Sequence, residues 1–342
     1  MNRRSQPDNQ LLSRSNHILA EGIGEVEELS LKEYLIGTGG WAYFRVPGMS
    51  SLKAYSRVFD FVEVNSTFYE MPSLAEAERW RRTVPRDFHF AVRAHKSLTH
   101  SHTLQPTPQA LRTLQRMKQI CGVLNAEVLH LQTPPSFEAS DAEVEGFRRL
   151  MSSTDLAGLR LALELRNTAA EAFPATLVDV MKEHSIVHCV DLSKGETPAY
   201  ESDILYSRLF GRGKHNVYQP ADEELAEIDR KASDSKSGKI MMSFHFVRMY
   251  KDAARLKVYR QTGKFPQVTH STGLESLEEV LSEDAEFPAA KATLVDGQGW
   301  KLFDLTEEKR ARAHDFLMRL PDRTYANMAD VSSALRQVQE GT

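Results

Sequence analysis

The sequence of 342 residues has only two cysteines, Cys121 and Cys189, and they show no paired spacing. Two isolated cysteines cannot crosslink so long a chain, and they match no common zinc-binding pattern. No apolar run of about 18 residues is present to span a bilayer. The residues after Met1 are polar and do not form the apolar core of a signal peptide. These absences predict a cytoplasmic protein with no membrane association.

An excess of charge of one sign is also missing. The 43 basic residues are balanced by 47 acidic ones, for a formal net charge of -4, which argues against a broad nucleic-acid-binding surface. Hydrophobic residues make up 41% and charged residues 26%, which is typical of a folded globular chain. At roughly 100–200 residues per domain, the length allows one large domain and a small one, or two medium ones.

From Tyr34 onward, short β-rich runs alternate with helical stretches, and the pattern repeats eight times. The predicted strands are 34–38, 61–65, 88–94, 128–132, 159–165, 186–191, 204–211 and 240–246. This alternation predicts parallel strands with right-handed crossovers, closed into an α/β, TIM-barrel-like (β/α)8 barrel. An open doubly wound sheet is the alternative, but no strand is followed by a Gly-x-Gly-x-x-Gly fingerprint.

The repeat occupies the middle of the chain and predicts three regions. Residues 1–30 are polar and predict a flexible tail. Residues 31–265 form the predicted barrel. Residues 268–342 predict a small appended helical domain, with helices near 274–283, 306–320 and 330–337. Its role as an oligomer contact, a lid or a docking site for a protein partner stays open.

Polar residues cluster where the predicted strands end, which is the catalytic rim of a barrel of this type. The set comprises Glu63, Asn65, Arg93, Lys96, His100, Gln132, Glu164, Arg166, Asp191, Arg208 and His245. Convergence of both charge signs from at least six strands favours a small anionic or hydroxyl-rich ligand. The alternative is that Glu63 pairs with Arg208, and Glu164 with Arg93, only to hold the fold together.

The three rim carboxylates, Glu63, Glu164 and Asp191, are candidates for general acid and base, because neighbouring carboxylates in a partly dry site acquire different pKa values. The basic side chains Arg166, Arg208 and Lys96 are candidates for holding a phosphate or carboxylate. These residue types fix no particular reaction.

Three loop features allow a binding and a structural interpretation. Arg212 lies in the segment 211–215, which follows the seventh strand, where barrels often bind phosphate; a solvated loop is the alternative. Trp41 follows two glycines and either stacks on a ligand ring or packs. His95, His100 and His102 are close enough in sequence to suggest a divalent metal, but no carboxylate accompanies them, so no metal ligand is assigned.

Several blocks of the sequence resemble the YecE-like family, a widespread domain family of unknown function. The matching segments are 37–41, 61–69, 88–94, Thr99-His100, 164–167, Asp191 and 208–211, together with Trp80 and Pro85. The resemblance spans about residues 34–262 and implies a TIM-barrel-like fold with no established activity. Residues 274–337 more weakly resemble a small uncharacterised helical domain.

The chain departs from the YecE-like pattern at two places on the rim. His245 and Phe246 follow Phe244 where that family usually has two asparagines, and Arg93 replaces the usual lysine. Either change implies a shifted ligand preference or a degenerate site.

Together these features predict an enzyme that acts by acid–base chemistry, as a hydrolase, lyase or isomerase, on a small phosphorylated or polyhydroxylated substrate. One alternative is a non-catalytic binding or scaffold protein that recruits a partner, or a second copy, through residues 268–342. The other is a metal-assisted phosphoesterase acting on nucleic acid, which the near-neutral charge disfavours. The sequence requires no cofactor.

Overall fold

The computed structural model describes residues 32–166 and 172–340, so the predicted tail at 1–30 lies outside the described residues. Eight strands of the described chain form one parallel sheet. They are Glu33–Thr38 (β1), Phe61–Val64 (β2), His89–Arg93 (β3), Val128–Gln132 (β4), Arg160–Glu164 (β5), Val187–His188 (β6), Ile204–Leu209 (β7) and Lys239–Phe244 (β8).

Helices follow the strands along the chain. They are Ser51–Tyr55 (α1), Leu74–Thr83 (α2), Pro108–Leu124 (α3), Asp141–Ser152 (α4), Ala175–Glu183 (α5), Asp222–Asp234 (α6) and Met249–Thr262 (α7). Local signals set their ends. For α2, the Ser73 side chain accepts a hydrogen bond from the Glu76 amide, and Val84 becomes extended before Pro85.

The sheet closes on itself. β1 lies between β2 and β8, and the order continues through the sheet to β6 on one side and β7 on the other. A single parallel bridge between Val190 and Ser207 joins these last two strands. The predicted TIM-barrel-like fold is therefore confirmed, with its weakest pairing between β6 and β7.

Alternation along the strands separates two packing layers. One side-chain set, represented by Leu35, Phe61, Val128 and Met241, fills the barrel interior. The alternate set packs outward against the helices. This period-two pattern determines which polar side chains enter the barrel.

The C-terminal segment combines short helices with short strands. It contains Gly273–Ser282 (α8), Ala289–Ala290 (β9), Lys291–Gln298 (α9), Leu302–Asp304 (β10), Arg310–Arg312 (β11), Ala313–Leu317 (α10), Thr324–Tyr325 (β12) and Met328–Glu340 (α11). It has an apolar cluster of its own. The helix predicted over 306–320 is wrong in its first part, because 310–312 pairs with β10. The predicted domain boundaries stay predictions.

No helix in the described part of the chain has the length and apolar character needed to cross a membrane.

Candidate functional site

The barrel interior changes from apolar to polar toward the carboxyl ends of its strands. Phe61 is followed two residues later by Glu63, Ala91 by Arg93, and Ala162 by Glu164. Residues two apart on a strand point to the same face, so these polar side chains form a layer above the apolar one. Six strands contribute to this layer. Its members include Glu63, Arg93, His130, Gln132, Glu164, Tyr206, Arg208, Ser243 and His245.

Arg208 is the centre of this layer and is almost fully buried. Its Nε donates to Oε2 of Glu63 at 3.0 Å, and its Nη1 donates to Oε2 of Glu164 at 2.6 Å. Tyr206 donates its hydroxyl to Oε2 of Glu63 at 2.6 Å. The predicted pair of Glu63 and Arg208 therefore forms, whereas Glu164 pairs with Arg208 and not with Arg93.

Arg208 determines the protonation states around it. Burial would raise the pKa of Glu63, but Arg208, the nearby histidines and the hydrogen bond from Tyr206 together outweigh burial and lower that pKa to about 2. The same balance holds the pKa of Glu164 well below its ordinary value. Burial and the charge of Arg208 together lower the pKa of His245 to about 3. Near neutral pH the layer therefore holds two carboxylates and a neutral His245.

Arg93 extends the network to one side. Its Nη1 donates to Oδ1 of Asn65 at 2.8 Å, and its Nη2 donates to Oε1 of Gln132. Gln132 then donates from Nε2 to Oε1 of Glu164 at 2.5 Å. The guanidinium lies over the Phe68 ring, 3.8 Å from its centroid. Asn65, Arg93, Gln132 and Glu164 thus form one hydrogen-bonded chain.

A cavity of about 290 Å³ opens beside this layer, and we call it the rim cavity. Its polar lining comprises Gln132, Glu164, Arg166, Asp191, Lys194, Glu196, Arg208 and Asn216. The Glu164 side chain is 19% exposed, whereas that of Glu63 is sealed at 0%. Only one of the two carboxylates bound to Arg208 therefore faces the rim cavity.

Asp191 is engaged by the surrounding chain. Its Oδ1 accepts from the Ser193 amide at 3.0 Å, and its Oδ2 accepts from the Phe210 amide at 3.0 Å. Lys194 lies 3.5 Å from Oδ2. Burial raises the pKa of Asp191 and also that of neighbouring Glu196. Both are wall residues that keep a proton more readily than ordinary carboxyls.

The structure brings most of the predicted site residues to this end of the barrel, but two of them lie apart from the polar layer and the rim cavity. Lys96 is exposed at the start of the short π-helical turn Ser97–Ser101, and no hydrogen bond or ion pair joins its side chain to the polar layer of the barrel. Arg212 is exposed in the loop after β7 and does not line the rim cavity. In that loop, the Gly211 amide already donates to Oγ of Ser193 at 2.9 Å.

Two further predicted residues lie next to the network. The ring of His100 packs edge-on against Phe68, with centroids 5.0 Å apart, and its Nδ1 lies 2.9 Å from Oγ1 of Thr99. Trp41 packs edge-on against Trp80 and lines a second cavity.

Sequence reasoning did not identify His130, Tyr206, Ser243 or Glu196 as site residues. The first three lie two residues before Gln132, Arg208 and His245 on their strands. Strand alternation alone could therefore have found them. Glu196 lies in a loop, and no periodicity marks it.

Among the described residues, the potential ligand atoms of His130, Glu164 and Cys189 lie within 4.8 Å of one another, close enough to be tested as a metal site. His130 Nε2 lies 3.0 Å from Oε2 of Glu164, but Arg208 donates to that same oxygen. Burial also raises the pKa of the Cys189 thiol well above its ordinary value. A guanidinium and a protonated thiol do not fit a divalent cation. The ring nitrogens of His95, His100 and His102 do not come together as a possible metal site in the described chain.

Comparison with known proteins supports the fold. The sequence model of the family described as "Protein of unknown function DUF72" matches residues 35–276. The UPF0759 protein YunF of Bacillus subtilis is 24% identical over 206 residues, which cover 54% of this chain and 72% of that protein.

Two solved structures share the barrel. A DUF72 family protein of Enterococcus faecalis has a TM-score of 0.54 and 17% identity, covering 68% of this chain and 97% of that one. A DUF72 family protein of Thermotoga maritima has a TM-score of 0.54 and 21% identity, covering 67% of this chain and 99% of that one. At these identities the likeness supports the fold alone.

Proposed function

The chain belongs to DUF72, a family of proteins of unknown function, and from its own site residues we propose that it is an enzyme. It binds a small anionic, hydroxyl-rich substrate in the rim cavity and acts on it by acid–base chemistry. We also propose that the chain is a close relative of the YecE-like proteins and that it is located in the cytoplasm.

The supporting observation is the unequal exposure of the two carboxylates that Arg208 holds. Glu63 is sealed and Glu164 lines the rim cavity. Arg208 and Gln132 fix both oxygens of Glu164, and its lowered pKa keeps it ionised. The same lowered pKa makes Glu164 a weak base, so it accepts a proton from a substrate hydroxyl only as that hydroxyl becomes acidic in the transition state. We assign Glu164 as the general base and Glu63 as the residue that positions Arg208.

The cavity wall also offers a proton donor. Burial raises the pKa of Glu196, whose Oε2 accepts from the Asp191 amide at 2.7 Å. Glu196 is exposed and lines the rim cavity, and its Oε1 has no hydrogen-bond partner among the described residues. Asp191 also has a raised pKa, but both its oxygens already accept backbone amides. Glu196 is therefore the better candidate acid, with Asp191 organising the loop.

Arg166 is the candidate anion holder. It is exposed, lines the rim cavity, and its guanidinium donates to no group of the described chain, unlike that of Arg208. A planar guanidinium offers two parallel donors to a phosphate or carboxylate. Lys194 provides a second positive charge on the same wall.

The first test is binding. Thermal shift is measured with inorganic phosphate, sugar phosphates and polyols for the wild type, Arg166→Ala and Arg212→Ala. A ligand at 100 times its Kd stabilises the protein by about 2.7 kcal/mol. We expect Arg166→Ala to weaken binding of phosphorylated ligands about tenfold. The matched control Arg212→Ala removes an exposed arginine outside the cavity and leaves affinity unchanged. Equal loss in both variants would contradict the assignment of the rim cavity.

The second test is turnover. Bound ligands are followed by NMR for chemical change with the wild type, Glu164→Gln and Glu63→Gln. Loss of the base predicts a rate reduction of at least 100-fold in Glu164→Gln with ligand binding retained. Glu63→Gln is expected to reduce mainly stability, because it leaves Arg208 with one carboxylate. Binding without any chemical change in the wild type would favour a non-catalytic ligand-binding protein.

A further inference from the structure

A second cavity, of about 280 Å³, lies at the same end of the barrel, between the loops after β1 and β2 and the start of α7. Four of its ten lining residues are aromatic, namely Trp41, Tyr43, Trp80 and Tyr250. We call it the aromatic pocket. Trp41 and Trp80 pack edge to face, at an interplanar angle of 78° with centroids 5.3 Å apart.

The loop that carries Trp41 and Tyr43 is anchored to the barrel. A Cβ on Gly39 would lie 2.2 Å from Cε1 of His245, so only glycine allows this close approach. Phe44 packs against Tyr55, with centroids 5.7 Å apart. Tyr43, between these anchors, is nevertheless 79% exposed. An anchored loop that presents a bare aromatic ring beside a cavity is suited to stacking.

The aromatic pocket offers few polar groups. Asn65 and Ser66 are the polar side chains of its wall besides the tyrosine hydroxyls. Oδ1 of Asn65 accepts from Arg93, which leaves its Nδ2 as a donor for a ligand. A sugar ring carries several hydroxyls that each need a partner, whereas a heteroaromatic ring needs faces to stack on and one or two edge contacts. The lining therefore favours a heteroaromatic ring.

The aromatic pocket and the rim cavity share one hydrogen-bonded chain. Asn65 lines the first, Glu164 lines the second, and Arg93 and Gln132 connect them. A single ligand with a ring at one end and an anionic, hydroxylated part at the other matches this arrangement.

We propose that the aromatic pocket is a subsite for a nucleobase-like heteroaromatic ring, so that the ligand class is a nucleoside phosphate. This proposal rests on the proposed function for the position of the anionic part. The ring subsite itself rests on the aromatic wall and on Asn65.

Intrinsic fluorescence provides a direct test, because two of the three tryptophans line the aromatic pocket and the third is Trp300. A Trp300→Phe protein is titrated with adenosine, uridine, their 5′-phosphates and ribose 5-phosphate. We expect the nucleosides and nucleotides to quench the fluorescence of Trp41 and Trp80, and ribose 5-phosphate to bind without quenching.

Two variants identify the subsite. Tyr43→Ala is expected to weaken nucleotide binding about tenfold and to leave ribose 5-phosphate affinity unchanged. The matched control is Tyr69→Ala, which removes a tyrosine that is 67% exposed and does not line the pocket. It should bind nucleotides as the wild type does.

The possible results separate this inference from the proposed function. If ribose 5-phosphate binds but no ring-bearing compound binds better, or Tyr43→Ala and Tyr69→Ala behave alike, the ring subsite is wrong while the rim cavity stands. If nucleoside binding depends on Tyr43 but nucleotide binding is unaffected by Arg166→Ala, the ring subsite stands and the anion site fails. Absence of binding by every ring-bearing compound overturns the inference.

Discussion

At the residue scale, His245 shows how the buried charge of Arg208 controls its neighbours. His245 Nε2 lies 3.0 Å from Oγ of Ser243 and 3.5 Å from Oε1 of Glu63, and its ring stacks on Phe210. The nearby Glu63 favours a proton on His245, but burial and Arg208 outweigh it. His245 is therefore a neutral packing and hydrogen-bonding group.

This state of His245 makes stability depend on pH. The pKa of His245 is about 3 in the folded protein, whereas an unfolded histidine titrates near 6.5. Between these values the unfolded chain binds the proton and the folded chain does not, so the free energy of unfolding falls as pH decreases below about 6.5. The upper limit is about 1.4 kcal/mol per pH unit for one histidine.

We expect His245→Asn to reduce the stability difference between pH 7 and pH 5, measured by urea unfolding at both pH values. His130 has a pKa lowered by burial and by Arg208, so part of the dependence remains in the variant. His314→Asn, an exposed histidine on α10, is the control and should keep the wild-type pH dependence. Identical pH dependence in His245→Asn and the wild type would show that His245 does not titrate as described.

At the scale of elements, the strand pattern predicted the barrel well, because each strand combines β-rich composition with defined ends. All eight predicted strands are found, although β6 shrinks from 186–191 to Val187–His188. Beyond His188 the chain makes the single bridge at Val190 and then turns at Asp191 to cap the Ser193 and Phe210 amides. The contacts with Ser207 and Phe210 are tertiary, so sequence composition alone could not predict where β6 ends.

The candidate site was predictable only in part for the same reason. The strand ends identify which residues reach the rim, but they do not reveal how these residues pair. Glu164 pairs directly with Arg208, whereas Arg93 is linked to Glu164 only through Gln132. Loop positions were the least predictable. Lys96 and Arg212 have suitable chemistry and follow strands, yet the loops carry both into solvent, whereas Glu196 is carried to the rim cavity.

The loop between β7 and α6 connects the rim cavity to the C-terminal segment. Asn216 of this loop lines the rim cavity. Three residues further on, the buried Gln219 accepts at Oε1 from the Leu302 amide of β10 at 2.8 Å. Arg312 of β11 donates to the Gln219 carbonyl at 3.1 Å and to Glu224 at 3.0 Å. The ribbon of β10 and β11 thus holds the end of the loop that carries Asn216.

We expect Gln219→Ala to weaken ligand binding in the rim cavity by about 3- to 10-fold, although Gln219 touches no part of the cavity. The measurement is the phosphate and sugar-phosphate titration, with Arg323→Ala as the control. Arg323 is an exposed residue of the C-terminal segment that pairs with Asp330. Wild-type affinity in Gln219→Ala together with lower stability would show that the ribbon supports the fold without shaping the site.

At the scale of the whole molecule, a row of alternating charges joins the C-terminal segment to the barrel. Arg310 of β11 donates to Asp304 at 3.0 Å and to Asp222 of α6 at 2.9 Å. Asp222 in turn accepts from Arg255 of α7 at 2.5 Å. These side chains are largely buried, so each charge depends on its neighbours for compensation.

This shared network predicts that the barrel and the C-terminal segment unfold together. Trp300 reports on the C-terminal segment, and Trp41 and Trp80 report on the barrel. Fluorescence of a Trp300→Phe protein and of a Trp41→Phe, Trp80→Phe protein should therefore give coincident urea transitions.

Arg310→Ala is expected to destabilise the protein by about 3–5 kcal/mol, because it leaves Asp304 buried without its guanidinium partner. The Trp300 signal should then change at lower urea concentration than the barrel signal, since the C-terminal segment loses its charged contact with α6. Arg323→Ala removes a surface pair and should cost at most about 1 kcal/mol. Two separate transitions already present with Arg310 intact would mean that apolar packing within each part, and not the charge network, determines how the molecule unfolds.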